Sequence, residues 1–207
     1  MDFVRPIEAL VPGAQGRLLA VLVETSAELN LRTIAQLADV SQAQASRLLP
    51  ELVNLGVVAR REVPPSSLFR LVPEHVAARA LLGLAHSADV VLHEIGRLAA
   101  ALPHPPVSVI VFGSFARREA DAESDIDIVV VRPASLDEDD DSWVEALESW
   151  RNNVRWLTGN PVEVLEVSAD EAATKLAGRG QVWADIRREG RVVHGLDVGE
   201  LRVVRVG

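Results

Sequence analysis

Four residues stand in an arrangement that can do phosphate chemistry: Gly113 and Ser114, then, ten residues on, Asp125 and Asp127 flanking Ile126. A strand sends residues i and i+2 to one face, so the two carboxylates project together, about 6.6 Å apart at ~3.3 Å per residue. That separation lets them share a pair of divalent cations about 3.5–4 Å apart. Two adjacent like charges are costly alone, and bound Mg²⁺ or Mn²⁺ would relieve the repulsion. Gly113 lets backbone approach a ligand closely. Ser114 and the exposed amides of a helix start suit a phosphate.

The elements that must position these groups can be read from patterning. Val107–Phe112 is a short apolar, β-branched run, and Gly113–Arg118 is a turn opening a short helix. Ile126–Val131 is a second strand. After the acidic loop 137–141, Trp143–Leu157 reads as a helix, with Trp143, Leu147, Trp150 and Val154 at helical spacing. Pro161–Val167 is a third strand, 169–176 and 180–189 are helical, and Arg191–Val193 is a last short strand. Upstream, 16–25, Leu31–Ala38 and Gln42 to about Leu55 read as helices, the third capped by Ser41 and stopped by Gly56. Val57–Val63 and Leu68–Val72 form a hairpin around a loose Pro64-Pro65-Ser66-Ser67 loop. One long apolar-periodic helix is expected over 74–101, ended by Pro103, Pro105 and Pro106.

Composition narrows the chemistry. At 207 residues the chain has room for one or two domains. Cysteine is absent, which excludes disulfide scaffolds, thiolate metal sites and cysteine nucleophiles. Tyrosine is absent too, so the chain offers no tyrosine acceptor, and Lys175 is the one lysine. The first residues lack a basic start followed by an apolar run, and no apolar stretch approaches ~18 residues, so neither a signal peptide nor a membrane span is expected and a cytoplasmic location is. The net charge of −9 argues against a binder that uses its whole surface for nucleic acid, but not against a local basic face. Residues 1–75 hold 7 basic and 8 acidic residues, and the rest 14 and 22, so a near-neutral front and an acidic back predict two units. The five histidines are dispersed without zinc spacing, the four tryptophans are expected in the core, and Asp137–Asp141 reads as a solvated loop.

Three helices, the third closed by glycine and followed by a hairpin, resemble the winged helix-turn-helix of bacterial regulators over roughly residues 14–72. The segment Leu31-Arg-Thr-Ile-Ala-Gln-Leu-Ala-Asp-Val-Ser-Gln-Ala-Gln-Ala-Ser-Arg-Leu-Leu49, with Leu52 and Leu55-Gly56-Val57-Val58, carries the likeness. The resemblance implies a third helix in the major groove, presenting Gln42, Ala43, Gln44 and Arg47 to bases and Ser46 to a phosphate. Arg60, Arg61 and Arg70 would meet phosphates from the wing. Ala45, Leu49 and Leu52 are core by spacing. A winged helix used only for dimerisation or protein contact is the alternative.

The segment Val109-Ile-Val-Phe-Gly-Ser-Phe-Ala-Arg-Arg-Glu-Ala-Asp-Ala-Glu-Ser-Asp-Ile-Asp-Ile-Val-Val-Val131 resembles minimal nucleotidyltransferases of the polymerase-β-like superfamily, over about residues 84–195. The ending Ile186-Arg-Arg-Glu-Gly-Arg-Val-Val-His-Gly195 looks like the tail of such domains. The resemblance implies a third carboxylate on the next strand, supplied by Glu163 where the family often has Asp. Glu166 is the alternative, of opposite strand parity. It further implies that Asp125, Asp127 and Glu163 hold two Mg²⁺ (or Mn²⁺) ions and that an NTP, ATP first, is bound near Gly113 and Ser114. Arg117 or Arg118 would add a charge-assisted phosphate contact. The expected fold is α+β: a winged helix-turn-helix over 1–75, a connecting helix and linker over 76–106, and a nucleotidyltransferase domain with a small mixed sheet over 107–207. The expected function is transfer of NMP to a hydroxyl of a protein or RNA acceptor, with DNA bound by the front unit. The alternative is a regulator or antitoxin whose back domain binds nucleotide or a toxin without turnover. Expected partners are an NTP, operator DNA and a toxin or RNA acceptor, with no membrane, and a homodimer because winged helices often pair.

Overall fold

The computed structural model describes residues 1–203. It divides into two compact units, Arg5–Ser87 and the pairing of Met1–Val4 with the chain from Ala88 on.

The front unit runs α1 (Pro6–Leu10), α2 (Ala14–Val23), β1 (Leu29–Asn30), α3 (Leu31–Leu37), α4 (Gln42–Asn54), β2 (Val58–Val63), β3 (Ser66–Leu71) and α5 (Val76–Ala85). Local chemistry sets the ends of its helices. Asn30 caps α3 by accepting from the Thr33 N–H at 2.9 Å, and Ser41 caps α4 by accepting from the Gln44 N–H at 3.1 Å. Gly56 follows α4 with φ +77°, a conformation that favours glycine. Ala45, Leu49 and Leu52 of α4 are buried, as their spacing predicts, against Leu18, Leu22 and Ile34. The wing departs from the expected hairpin in two ways. Val63 pairs directly with Ser66, so the turn is Pro64-Pro65 alone rather than a four-residue loop, and β1 adds a third strand beside β3.

The single helix expected over 74–101 is two. The first, α5, ends at His86, whose Nδ1 lies 2.7 Å from the Leu82 carbonyl. The second, α6, spans Ser87–Ala100. Apolar periodicity runs through both, but it serves two cores. Ala78 packs in the front unit, whereas Ala88, Val91, Ile95 and Ala99 pack in the back one. One straight stripe cannot follow both, so the chain breaks where the stripes change.

The back unit continues with β4 (Ser108–Phe112), α7 (Gly113–Ala116), β5 (Ile126–Arg132), α8 (Asp141–Thr158), β6 (Val162–Ser168), α9 (Ala169–Ala177), α10 (Gln181–Glu189), β7 (Arg191–Gly195) and α11 (Val198–Leu201). Its sheet has the order β6-β5-β4-β7, with β5 and β6 parallel and the other pairs antiparallel. Alternation along the strands splits the core between two faces. Val109, Val111, Ile126 and Ile128 pack with Trp143, Trp150 and Val154 of α8 on one face. Ile110, Val129 and Val131 pack with Leu176, Ile186 and Leu201 on the other. Phe3 belongs here too, its N–H bonded to the Ala120 carbonyl and its ring edge-on to Phe115. Three tryptophans are core as expected; Trp156 is 89% exposed. The inward stripe of α8 passes through Trp143, Trp150 and Val154, and Trp156 lies off it. Among the described residues no helix is long and apolar enough to cross a membrane.

Candidate active site

The back sheet brings the sequence motif together through register. Phe112 on β4 pairs with Asp127 on β5, and Asp127 pairs in parallel with Glu163 on β6. Paired residues on neighbouring strands point to the same face about 5 Å apart, so Asp127 and Glu163 lie side by side, and Gly113, the residue after Phe112, begins α7 against Asp127. Gly113 has φ +67°, and a β-carbon there would come within 2.4 Å of the Asp127 Oδ2. The glycine is thus required twice, for its backbone angle and for the carboxylate seated on it.

Asp125 lies just before β5 and is exposed, like Glu163, while Asp127 is half-buried. Burial is the main cause pushing the Asp127 carboxyl above its ordinary range; the charges of Asp125 and Glu163 add to it, and Arg117 partly offsets it. Among the described residues no three Asp, Glu or His side chains converge closely enough to hold a metal ion as they stand. Packing orients only Asp127; the rotamers of the two exposed carboxylates are not set by neighbours.

Strand parity separates the two glutamates. Glu166 lies on the opposite face from Glu163, where its Oε1 accepts from Trp143 Nε1 and from Arg132 Nε, each at 2.8 Å. It is a structural anchor for α8.

The helix after the turn, α7, is a single turn of four residues, too short for the dipole contribution expected of a helix start. What it offers is its backbone and Ser114, whose hydroxyl has no hydrogen-bond partner among the described residues. Arg117 is held by Glu119 at 2.7 Å and by Glu189 of α10 at 2.6 Å. Arg118, with φ +63°, is engaged by Asp89 of α6 at 2.6 Å. Two supporting residues were not anticipated. Glu189 orients Arg117, and its only signal was its place in the tail segment. Asn160, fully buried, donates to the carbonyls of Asp121 and Ser124 and so ties the loop before Asp125 to the turn before β6. A polar residue after the helix-ending Gly159 was the readable hint.

In the front unit, Gln42, Ala43, Gln44, Ser46 and Arg47 are all exposed on α4. Gln44 is committed locally, because its Oε1 accepts from the Ser41 N–H at 3.1 Å to complete a capping box. The wing cations are also engaged. Arg60 pairs with Glu62 at 2.7 Å and lies over the Phe69 ring. Arg61 pairs with Glu28, whose carboxyl that bond holds below its ordinary range. Arg70 donates to the Leu71 carbonyl.

Residues 96–182 match the nucleotidyltransferase domain model, and residues 16–62 match the IclR helix-turn-helix domain model. No curated protein matches the chain. Among solved structures, a MarR-family transcriptional regulator from Silicibacter pomeroyi is 30% identical over 39% of this chain and 54% of its own, with a TM-score of 0.31. A toxin-antitoxin structure with AMP-PNP is 17% identical over 50% of this chain and 73% of its own, with a TM-score of 0.34. The chain thus spans about half the length of the first of these. It carries an IclR-type helix-turn-helix domain followed by a nucleotidyltransferase domain.

Proposed function

We propose that the protein is a Mg²⁺-dependent nucleotidyltransferase that moves NMP from an NTP, ATP first, to a hydroxyl of an RNA or protein acceptor, and that its front unit binds operator DNA. The observation that carries this reading is Asp127, seated on Gly113 and in register with Glu163, with its carboxyl pushed up by burial and by two neighbouring charges. A hard divalent cation fits such a donor set, because oxygen ligands suit it and its charge would offset theirs.

Asp125, Asp127 and Glu163 would hold the ions, and Ser114 would donate its unpartnered hydroxyl to the outer phosphates. When bound, the cations supply charge neutralisation at the triphosphate and at the attacking and leaving oxygens. Glu163, the exposed carboxylate, would take the acceptor hydroxyl's proton. The acceptor oxygen then forms its bond to the α-phosphorus as the bond from that phosphorus to the departing pyrophosphate breaks. Arg117, oriented by its two carboxylates, would steady the phosphates from the side. On the front unit, Gln42, Ser46 and Arg47 would face the major groove, with Arg60 and Arg61 on phosphates.

The test is transfer of label from α-labelled NTP to a cell-extract component with Mg²⁺ or Mn²⁺. The native protein should label an acceptor, and Asp125→Asn and Asp127→Asn should abolish labelling. If the native protein labels nothing with either ion, the enzyme reading fails. The second reading, a regulator whose back domain binds nucleotide or a toxin without turnover, draws on one observation: no three carboxylates converge among the described residues. Operator binding that survives both substitutions, without any transfer by the native protein, would favour it.

A further inference from the structure

We propose that the outer face of α8 is a twofold interface, covered by a second copy of this chain whose own α8 lies antiparallel along it. The inner face of α8, through Trp143, Trp150 and Val154, is buried on the sheet. On the opposite side Asp141, Glu145, Glu148, Asn152 and Arg155 are exposed in one line, with Trp156 beside it. Their steps of 4, 3, 4 and 3 residues keep to one side of a helix and are the steps along which a second helix packs.

The helix changes sign half-way. Its first half carries Asp141, Glu145 and Glu148 and no base; its second half carries Arg151 and Arg155 and no acid. Like charges three or four residues apart repel on a helix. Asp141 with Glu145, Glu145 with Glu148, and Arg151 with Arg155 are such pairs, and along the helix they are offset by Glu148 with Arg151 at 3.3 Å. Neither the Glu145 nor the Arg155 side chain has a hydrogen bond or ion pair among the described residues. Acid in a first turn and base in a last turn suit the helix dipole, but that effect fades within a turn. It does not reach Glu145 and Glu148, and it does not explain an indole that is 89% exposed.

A twofold axis across α8 near residue 150 turns this self-repulsion into attraction, and symmetry makes each contact occur twice. Arg155 of each copy then lies opposite the turn of the other that holds Glu145 and Glu148. A cavity of about 370 Å³, lined by Asn152, Arg155, Trp156 and Gly159, receives Glu145 of the other copy, its carboxylate on Arg155 and its methylenes on the indole. Parallel helices would set acid on acid and base on base, so the charge pattern fixes the orientation. The helix has 18 residues, about 27 Å. One such pair is a small interface, so the dimer should dissociate on the order of 10 μM. The inference is independent of the transferase reading. Ile126 and Val162 lie in the core under α8, so strand alternation turns Asp127 and Glu163 to the other face of the sheet, and pairing leaves them open.

Sedimentation of the full chain without DNA, from about 1 to about 200 μM, reads the association, and tryptophan emission reads Trp156. The native chain should dimerise reversibly, with emission moving to the blue as concentration rises. R155E and E145R/E148R should each weaken association at least about tenfold. Mixed in equal amounts they should pair like the native chain, because one line is then acidic and the other mostly basic; that recovery also shows that both variants are folded. E145R/E148R/R155E should dimerise again by itself, as an antiparallel arrangement alone permits. W156A should weaken pairing about tenfold, and W156F should keep it while losing the emission shift. The proposal is overturned if the native chain stays monomeric at the highest concentration, for the face then belongs to another molecule. It is overturned if R155E and E145R/E148R dimerise like the native chain, for the pairing then lies elsewhere, as in the helix-turn-helix. It is also overturned if the mixture or the triple variant fails to regain association.

Discussion

The two units dispose of their charges in opposite ways. In the front unit, the wing cations are neutralised from within: Arg60 by Glu62 and Arg61 by Glu28. In the back unit, Asp125, Asp127 and Glu163 face the same edge, and the nearest opposing charge, Arg117, is itself claimed by Glu119 and Glu189. Exposed ion pairs contribute about 0–1 kcal/mol each and exchange cheaply, so the wing can give up its carboxylates when a polyanion arrives. Asp127 has no such exchange: it is half-buried on Gly113, and although the exposed Asp125 and Glu163 can turn outward, the burial that raises its carboxyl is met by a bound cation or a proton. The back unit therefore advertises its ligand in its own energetics, and the front unit does not.

Removing the uncompensated charge is the strongest test of that contrast. D127N should reduce label transfer on the order of a thousandfold, the scale of several kcal/mol of lost charge stabilisation. G113A should follow at about a hundredfold, because its β-carbon would displace the carboxylate, and it should also destabilise the fold by about 1–3 kcal/mol, measured by urea denaturation. In the front unit, R47A should weaken operator binding about tenfold. E28Q should do the reverse, strengthening it a few-fold and steepening the salt slope by about one as Arg61 is released. If E28Q changes nothing, the internal pairing of the wing does not restrain it and the contrast fails on that side.

The smallest effect is a matter of sign. The folded Asp127 carboxyl titrates above its unfolded value. Its ionisation therefore opposes folding; that penalty is absent below the unfolded range, near ~3.9, and is fully felt once pH exceeds the raised folded value. D127N should raise Tm at pH 7 by about 1–3 °C, with the gain fading below pH ~4. Added Mg²⁺ should stabilise the native chain and not the variant. A variant less stable than the native protein at pH 7 would mean that Asp127 carries no such strain.

What could be read in advance follows the range of the interaction. Ser41, Gly56 and the Ala45–Leu49–Leu52 stripe are local signals, and the structure repeats them. The separation of Glu163 from Glu166 came from strand period alone. The capping box at Ser41 and Gln44 was equally local, yet a base-reading role for Gln44 overlooked it. Trp156 was placed in the core by residue type, against a spacing that already excluded it. The partners of Arg61, Arg117 and Arg118 were out of reach, because Glu28, Glu189 and Asp89 lie 33, 72 and 29 residues away in sequence. Side chains that long choose partners only after tertiary structure exists. The break at His86 was hidden for a related reason: a periodic stripe shows that a helix is covered, not by which core.

The placement of Met1–Val4 has a consequence for the order in which the molecule assembles. These residues lie with Phe115 and Ala120, while 5–87 close into the other unit. Domains fold as units, N-terminal first during synthesis, so the helix-turn-helix can be complete before any partner of Phe3 has left the ribosome. Met1–Val4, made before the helix-turn-helix, then find their place after it, waiting for α7 and the loop that follows it, more than a hundred positions downstream.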